Sequence, residues 1–197
     1  MSDDTNPWTT LETRCRFEDD FFAVDDNRVL NPAGREAQYG VVRFKNRGLR
    51  ILPVEADGST LLVGQYRYGA GYFSWELPAG NQEPEEDALG CARRELGEEV
   101  GRTAESWLEL LEIVPSGSIT TQRERSFVAW NLSGIERHLD EQEVIRVQQV
   151  PVSRAIAMTL SGEIKDAGSI VALLALHVRS QRGDLPEALR EALAKGG

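Results

Sequence analysis

Alternating apolar and polar positions divide the chain into a strand-rich first part and a helix-rich end. Six segments have the length and apolar content of strands, and they lie at residues 39–44, 49–54, 60–66, 107–114, 125–132 and 144–150. The first three are separated by residues 45–48 and 57–59, which contain Asn, Asp and Gly. Because Asn and Gly tolerate the positive φ of tight turns, both connections predict hairpins.

A helix is predicted over residues 84–100, near the middle of the chain. Pro84 suits its first position, because proline has a fixed φ and lacks the N–H that would be unsatisfied there. Gly101 can adopt the left-handed conformation that ends a helix. The helix contains Gly90 and Gly97, and since each glycine costs about 1 kcal/mol relative to alanine, stability alone does not explain this sequence. Further helices are predicted at residues 152–160, 167–179 and 186–194.

Residues 8–35 contain short apolar segments interrupted by turn-forming residues at 25–27 and 31–34. They predict a small N-terminal β extension over residues 1–38, followed by a main domain over residues 39–197. Strands around a central helix, followed by C-terminal helices, are typical of the α+β class, here an α/β/α sandwich with a mixed sheet.

Composition and charge argue against several classes of function. A net charge of −10 disfavours binding to nucleic acid, because the phosphate backbone is also negative. The sequence has no apolar run near the ~20 residues that a membrane helix needs, so no membrane partner is expected. Cys15 and Cys91 match no zinc-ligand spacing and are expected to be reduced thiols, which predicts a cytoplasmic protein.

The acidic residues are densest in and just before the predicted central helix. An acidic run of this kind is most often a solvated helix face. Here Glu95 lies three residues before Glu98 and four before Glu99, so the three carboxylates share one face within a turn. Like charges repel there, and the C-terminal half of a helix disfavours anions. A bound cation would reverse both penalties.

This arrangement predicts a divalent metal site. Hard oxygen ligands on a rigid element select Mg²⁺, with Mn²⁺ as the alternative, and such ions are shared with substrate phosphates. The expected chemistry is therefore attack of an activated water on phosphorus. Arg94 can orient the acids through charge-assisted pairs. In the preceding loop, Gly80 allows a sharp turn that leaves the Ala79 carbonyl available as a further ligand.

The same residues resemble the signature of the Nudix hydrolase family. Gly80, Glu86 and residues 94–101 (Arg-Glu-Leu-Gly-Glu-Glu-Val-Gly) match the Nudix box at every charged and glycine position, and only Arg102 departs from it. The resemblance implies the Nudix α/β/α sandwich, with residues 39–197 as the catalytic domain. It also implies hydrolysis of a nucleoside diphosphate linked to another moiety.

The Nudix resemblance gives a role to each residue of the box. The implied metal ligands are the Ala79 carbonyl, Glu95, Glu98 and Glu99. The implied catalytic residues include Arg94, Glu98 and Glu99. Glu86 is implied to be an orienting residue, and its second interpretation is a first-turn acid that the helix dipole favours.

Two further motifs resemble the ADP-ribose pyrophosphatase and sugar-nucleotide branch of the family. They are residues 65–68 (Gln-Tyr-Arg-Tyr) and 75–80 (Trp-Glu-Leu-Pro-Ala-Gly), and residues 161–167 extend the similarity. The resemblance covers most of residues 39–180. It implies ADP-ribose or a related nucleotide sugar as the substrate, with NADH or a dinucleoside polyphosphate as alternatives. It also implies a homodimer, in which the N-terminal sheet pairs with a second subunit.

Three residues in these motifs are predicted to bind substrate, and they are Arg67, Trp75 and Gly80. Arg67 has two interpretations, a phosphate-binding arginine or a solvated charge at the end of a strand. Trp75 has two as well, because an aromatic ring can stack on a base or pack in the core beside a sheet.

The residue that activates water is the open point. In this branch a loop glutamate commonly has that role, and counting back from residues 127–129 places Gln122 at its position. Glutamine cannot act as a base. Glu124 shares its face on an extended segment, so Glu124 is a candidate catalytic residue or else an exposed partner for Arg123 or Arg125. The departure at Gln122 also leaves open a Nudix-fold module that binds a nucleotide and hydrolyses it poorly.

Overall fold

The fold is described from a computed structural model, which defines residues 5–137 and 145–196. The chain forms two compact units. The N-terminal unit comprises the described residues up to Arg47 together with Val114–Gln122. The main unit comprises Gly48–Ile113 and the described residues from Arg123 onwards.

The N-terminal unit contains an antiparallel sheet with the strand order β1 (Thr9–Glu18), β2 (Phe22–Leu30) and β3 (Glu36–Phe44). β2 and β3 pair over their full length, whereas the pairing of β1 with β2 is irregular after Thr10 and after Cys15. β3 continues across the boundary predicted at residue 38, so the sheet ends at Phe44. Because β3 pairs with β2 rather than with the next strand, the hairpin predicted at residues 45–48 is wrong.

The segment Val114–Gln122 is attached to β3 within the N-terminal unit. The Val42 N–H donates to the Ile119 carbonyl (2.8 Å), and the Thr121 N–H donates to the Val42 carbonyl (3.0 Å). These bonds satisfy backbone groups of β3 that face away from β2, as an edge strand requires. Gln122 is the last residue of this attached segment.

The main unit is built on a mixed sheet of four strands. Their order is β7 (Ala79–Asn81), β4 (Gly48–Pro53), β9 (Glu124–Gly134) and β8 (Arg102–Ile113). β4 and β9 run parallel, whereas β4 pairs with β7 and β8 pairs with β9 in antiparallel fashion. The predicted mixed sheet is therefore confirmed.

A second sheet of the main unit is antiparallel. Its order is β10 (Arg146–Pro151), β5 (Ser59–Arg67) and β6 (Tyr72–Glu76). The turn predicted at residues 57–59 forms, with Gly58 at a φ of 80°. β4 and β5 then join different sheets and are linked by an isolated bridge, Val54–Thr60, so the predicted hairpin ladder is wrong. The last strand is predicted from residue 144, which lies outside the described residues.

The described residues form four helices, α1 (Ala88–Val100), α2 (Val152–Ser161), α3 (Ala167–Arg182) and α4 (Glu187–Lys195). α1 begins later than predicted. The Asp87 side chain accepts a hydrogen bond from the Gly90 N–H (2.6 Å) and caps the helix there, while Pro84 lies in the preceding turn. Gly101 has a φ of 63° and ends the helix as predicted.

The four-stranded sheet is covered by α1 on one face and by α3 on the other. Leu49 of β4 packs in one core cluster with Leu96 of α1. Leu52 of the same strand packs in a second cluster with Leu173 of α3. Because strand side chains alternate between the two faces, β4 supports both layers, and the predicted α/β/α sandwich is confirmed. Among the described residues, no helix is both long and apolar enough to cross a membrane.

Candidate active site

α1 carries the acidic residues that are predicted to bind metal. Its buried face, which includes Cys91 and Leu96, packs against the four-stranded sheet and fixes the helix there. Glu99 is buried at 3% exposure, whereas the side chains of Glu95 and Glu98 are 13% and 42% exposed. The three acids therefore form a gradient from the interior to the surface.

Arg94 links the acids of the Nudix box. Its Nη1 donates to Glu95 (2.7 Å) and to Glu98 (3.0 Å), and its Nη2 donates to Glu86 (3.1 Å). Burial lowers the pKa of Arg94, but the bonds to Glu86 and Glu95 outweigh it and leave the pKa raised. The bond from Arg94 lowers the pKa of Glu86. Glu86 precedes the Asp87 cap, so its interpretation as a first-turn acid is wrong.

The Ala79–Gly80 segment lies against two of these acids. The Ala79 N–H donates to Glu99 Oε2 (2.7 Å). A Cβ on Gly80 would lie 1.9 Å from Glu95 Oε1, so any side chain at this position would displace the carboxylate. The sharp turn predicted at Gly80 is wrong, because Gly80 lies within β7 and pairs with Leu49 of β4. Its lack of a side chain instead leaves room for the carboxylate of Glu95.

The acids of α1 have the chemistry of a divalent metal site. Within residues 5–137 and 145–196, no three His, Cys, Asp or Glu side chains are arranged as a group that could hold a metal ion. Arg94 Nη1 contacts both Glu95 and Glu98, so these two carboxylates converge on one cationic nitrogen. Carboxylate oxygens are the ligands that hard divalent ions prefer. The donor set therefore fits Mg²⁺ or Mn²⁺ by chemistry.

Arg67 at the end of β5 is paired with a buried acid. Its Nε and Nη2 donate to Glu76 at 3.0 Å and 2.5 Å, and Glu76 is only 2% exposed. The bond to Glu76 outweighs burial and raises the pKa of Arg67. Arg67 is thus a partly exposed charge at the end of β5 that is paired with a buried acid, and its role in binding phosphate stays a prediction.

Trp75 lies on β6 beside a glycine of β5. A Cβ on Gly64 would approach the Trp75 ring to 2.7 Å, and the ring meets Phe73 edge-on at 5.5 Å between centroids. Trp75 also packs against the core cluster on the α3 side of the sheet. These contacts favour the packing interpretation, and stacking on a base stays a prediction.

Glu124 begins β9 and is 5% exposed. Its carboxylate lies 3.7 Å from Arg50 Nη2. Arg123 and Arg125 pair instead with Glu112, so the interpretation of Glu124 as their exposed partner is wrong. Burial raises the pKa of Glu124. Gln122 lies in the N-terminal unit, whereas Glu124 lies in the main unit.

A buried ion pair that was not predicted from the sequence lies next to Glu124. Arg50 Nε donates to Asp166 Oδ2 (2.9 Å), and its Nη2 donates to Oδ1 (2.8 Å). Burial raises the pKa of Asp166, but the bonds from Arg50 outweigh it and leave the pKa well below its ordinary value. A charge inside the apolar strand at 49–54 is the signal that marks Arg50. Asp166 is marked by its place directly before the predicted helix at 167–179, where Asp is a preferred cap residue.

The sequence around this site is similar to a known protein family and to two curated relatives. A family model described as the NUDIX domain matches residues 45–174. The chain is 30% identical over 160 residues to an ADP-ribose pyrophosphatase of Mycobacterium tuberculosis, covering 79% of this chain and 76% of the relative. It is 35% identical over 172 residues to a GDP-mannose pyrophosphatase of Yersinia enterocolitica, covering 78% and 82% respectively.

A solved structure shares the fold. The crystal structure of an ADP compounds hydrolase superposes with a TM-score of 0.82 at 20% sequence identity, covering 93% of this chain and 100% of that one. Members of the matched family generally use divalent metal ions. The acids of α1, the glycine beside them and the family match over residues 45–174 together show that this chain belongs to the Nudix hydrolases.

Proposed function

We propose that this protein is a Mg²⁺-dependent pyrophosphatase that hydrolyses the diphosphate bond of ADP-ribose or a related nucleotide sugar. The observation that carries the proposal is the contact of α1 with the Ala79–Gly80 segment, which both Glu95 and Glu99 reach. The two relatives described above, which bear the names ADP-ribose pyrophosphatase and GDP-mannose pyrophosphatase, support this choice of substrate.

The proposed mechanism divides the work among the residues of the Nudix box. The residues proposed to hold the ion, Mg²⁺ or alternatively Mn²⁺, are the Ala79 carbonyl, Glu95, Glu98 and Glu99. When bound, the ion supplies neutralisation of phosphate charge and activation of water. Arg94 keeps the carboxylates of Glu95 and Glu98 oriented, and Glu86 anchors Arg94 from the other side.

Substrate recognition is proposed to involve Arg67, Trp75 and Gly80. The Arg67 guanidinium is fixed by the buried Glu76, and a guanidinium held in one orientation suits recognition of a phosphate. Glu124 is proposed as the proton acceptor, because burial raises its pKa and a carboxylate with a raised pKa is a better base near neutral pH.

A product-identifying assay tests the proposed activity. The purified protein is incubated with Mg²⁺ and ADP-ribose, GDP-mannose, NADH or a diadenosine polyphosphate, and the products are separated by chromatography. Cleavage of ADP-ribose at the diphosphate is expected to release AMP and ribose 5-phosphate. Nucleotide binding without products from any of the four would instead favour the alternative function, a binding module with weak hydrolysis.

The matched variant for this assay is Glu99→Gln. Glutamine has the size of glutamate and keeps an oxygen for the Ala79 N–H, but it lacks the charge that a metal ligand supplies. We expect turnover to fall by at least about 100-fold, because loss of an ionic ligand removes several kcal/mol of charge stabilisation. An unchanged rate would refute the assignment of Glu99.

The assembly and compartment are proposals as well. β1 exposes apolar side chains, with Leu11 at 40% and Phe17 at 51%, and such exposure on a paired strand suits contact with a second subunit. A homodimer through the N-terminal sheet is therefore proposed. Cys15 and Cys91 are free thiols, which is compatible with the proposed cytoplasmic location.

A further inference from the structure

A buried ionic cluster joins β4, β9 and the start of α3 in the main unit. Arg50 and Asp166 form a two-bond fork at 2.9 Å and 2.8 Å, and their side chains are only 12% and 17% exposed. Glu124 approaches the same guanidinium at 3.7 Å. Ionised groups this deep lose hydration and are retained only with close partners. Solubility therefore does not explain why these charged side chains lie in the interior.

Asp166 also fixes the backbone that leads into the candidate site. Its Oδ2 accepts from the Ser169 N–H and the Ser169 hydroxyl, both at 2.7 Å, and so caps α3. The Ser169 Oγ in turn accepts from the Leu77 N–H at 2.9 Å. The start of α3 thus holds the chain immediately before Ala79.

The backbone of β4 holds the same segment from another side, at Arg50 and its neighbour. Arg50 is the register partner of Ala79 in the ladder of β4 and β7, and the neighbouring Ile51 N–H donates to the Pro78 carbonyl at 2.8 Å. Glu99 receives the Ala79 N–H from the side of α1. The Leu77–Ala79 segment therefore lies where contacts from β4, α1 and α3 meet.

The cluster is built around a glycine. A Cβ on Gly168 would lie 2.5 Å from Glu124 Oε2 and 3.0 Å from Arg50 Nε. Only a residue without a side chain lets the guanidinium and both carboxylates come together at the first turn of α3. The geometry of the cluster thus depends on the identity of residue 168.

We propose that Arg50 and Asp166 are positioning residues, which hold the Leu77–Ala79 backbone so that the Ala79 carbonyl is presented to the metal ion. This inference rests on the proposed function, because it assumes an ion at Ala79 and α1. Neither side chain is placed in contact with the ion or the substrate. Arg50 fixes the Asp166 carboxylate, and Asp166 acts through Ser169 on the Leu77 amide.

The test measures metal affinity directly, with Mn²⁺ as the probe. The full chain is titrated with Mn²⁺ and free Mn²⁺ is followed by electron paramagnetic resonance, in the wild type and in Arg50→Met and Asp166→Asn. We expect each variant to raise the Kd for Mn²⁺ about tenfold, equivalent to about 1.4 kcal/mol. The double variant is expected to match the single variants, because the two residues act as one unit.

Arg102→Met is the matched control. It breaks the Arg102–Glu55 pair, which is also short (2.8 Å) and partly buried in the main unit, but which involves neither Ala79 nor α3. Its Kd for Mn²⁺ is expected to equal that of the wild type. Glu99→Gln identifies the site, since it should weaken Mn²⁺ binding at least as strongly as the positioning variants.

Hydrogen exchange gives a second measurement that needs no metal. The Leu77 amide is expected to exchange faster in Asp166→Asn than in Arg102→Met. Each variant is measured at the same number of degrees below its own unfolding midpoint. Arg50→Lys, which keeps the charge but not the fork, is expected to lie between the wild type and Arg50→Met in Mn²⁺ affinity. If Arg50→Met does not fold, Arg50→Lys and Asp166→Asn decide the question.

The outcomes separate the two proposals. Folded variants with wild-type Mn²⁺ affinity and wild-type exchange at Leu77 would overturn the positioning role and leave the proposed function standing. A wild-type protein that binds no Mn²⁺, or whose binding is untouched by Glu99→Gln, would overturn the proposed metal site itself.

Discussion

Gly80 shows how a single residue type is dictated by the carboxylate beside it. A Cβ at this position would lie 1.9 Å from Glu95 Oε1, so Gly80→Ala must push the Glu95 side chain away from the Ala79–Gly80 segment. Because a misplacement of about 1 Å in a catalytic group can cost about 100-fold, we expect kcat/KM to fall by that order. Steady-state kinetics at saturating Mg²⁺ measure the loss.

Gly69→Ala is the control for this substitution. Gly69 lies in the connection between β5 and β6, and a Cβ there would meet nothing within 4 Å. The control should therefore keep wild-type kinetics. Gly80→Ala with the same kcat/KM as Gly69→Ala would mean that the position of Glu95 does not limit the reaction.

Asp166 predicts a dependence of stability on pH. Burial raises its pKa, but Arg50 and Ser169 lower it well below the ordinary value of 3.8. A group with a depressed folded pKa stabilises the protein above its unfolded pKa, and this contribution is lost as the pH falls through the folded pKa. Asp166→Asn is expected to lower the free energy of unfolding by about 3 kcal/mol at pH 7, since it leaves a buried charge without its partner.

Urea denaturation at pH 7 and at pH 3 measures this dependence. The difference between wild type and Asp166→Asn should shrink at pH 3, which lies below the ordinary carboxyl pKa of 3.8. Asp184→Asn, in an exposed pair with Arg182, should change the free energy of unfolding by less than about 1 kcal/mol at both pH values. An equal loss at both pH values for Asp166→Asn would show that its ionised form is not the source of stability.

Among the elements, α1 offers a test of where a helix begins. The Asp87 side chain caps it by accepting the Gly90 N–H at 2.6 Å. Asp87→Ala is expected to lower the free energy of unfolding by about 1 kcal/mol, the usual effect of removing an N-cap. Chemical denaturation followed by circular dichroism measures the change.

The same substitution distinguishes the observed start from the predicted one. In a helix beginning at Pro84, residue 87 would be interior, and alanine would stabilise it because alanine has the higher helix propensity. Glu85→Ala, in the exposed turn before the cap, should leave the stability unchanged. A gain of stability in Asp87→Ala would therefore contradict the observed cap.

The location of most elements could be predicted from the sequence, but their pairing could not. The turn at residues 57–59 forms as predicted, yet β4 and β5 enter different sheets. Turn residues determine where the chain reverses, whereas partners are decided by which apolar faces the whole domain buries. β4 finds β9 across a long stretch of chain, and local patterns carry no signal for that contact.

The candidate site divides in the same way. The acids of α1 were predictable because helical spacing alone places Glu95, Glu98 and Glu99 together. Arg50 and Asp166 are 116 residues apart, and their pairing appears only once β4 and α3 are packed. Gly80 and Gly168 combine the two situations. The sequence shows that each position is a glycine, but it does not show which carboxylate lies beside it.

At the scale of the whole molecule, Gln122 and Glu124 are close in sequence but belong to different units. Gln122 stands at the position of the family's loop glutamate and belongs with the N-terminal sheet, because its segment is hydrogen-bonded to β3. Glu124 belongs to the main unit and to the buried cluster around Arg50. The proton-transfer role proposed for Glu124 thus belongs to the main unit, whereas the attachment of the loop to β3 belongs to the N-terminal unit.

The exposed apolar surface of β1 predicts the assembly state. Phe17 is 51% exposed and contacts Phe22 within its own sheet, so a charge at Phe17 should oppose a second subunit without emptying a core. Light scattering coupled to size-exclusion chromatography is expected to give twice the 21.9 kDa chain mass for the wild type, and a single chain mass for Phe17→Glu. Leu160→Glu, at an 83% exposed position of α2, should stay dimeric. A monomeric wild type, or a dimeric Phe17→Glu, would exclude this surface as the interface.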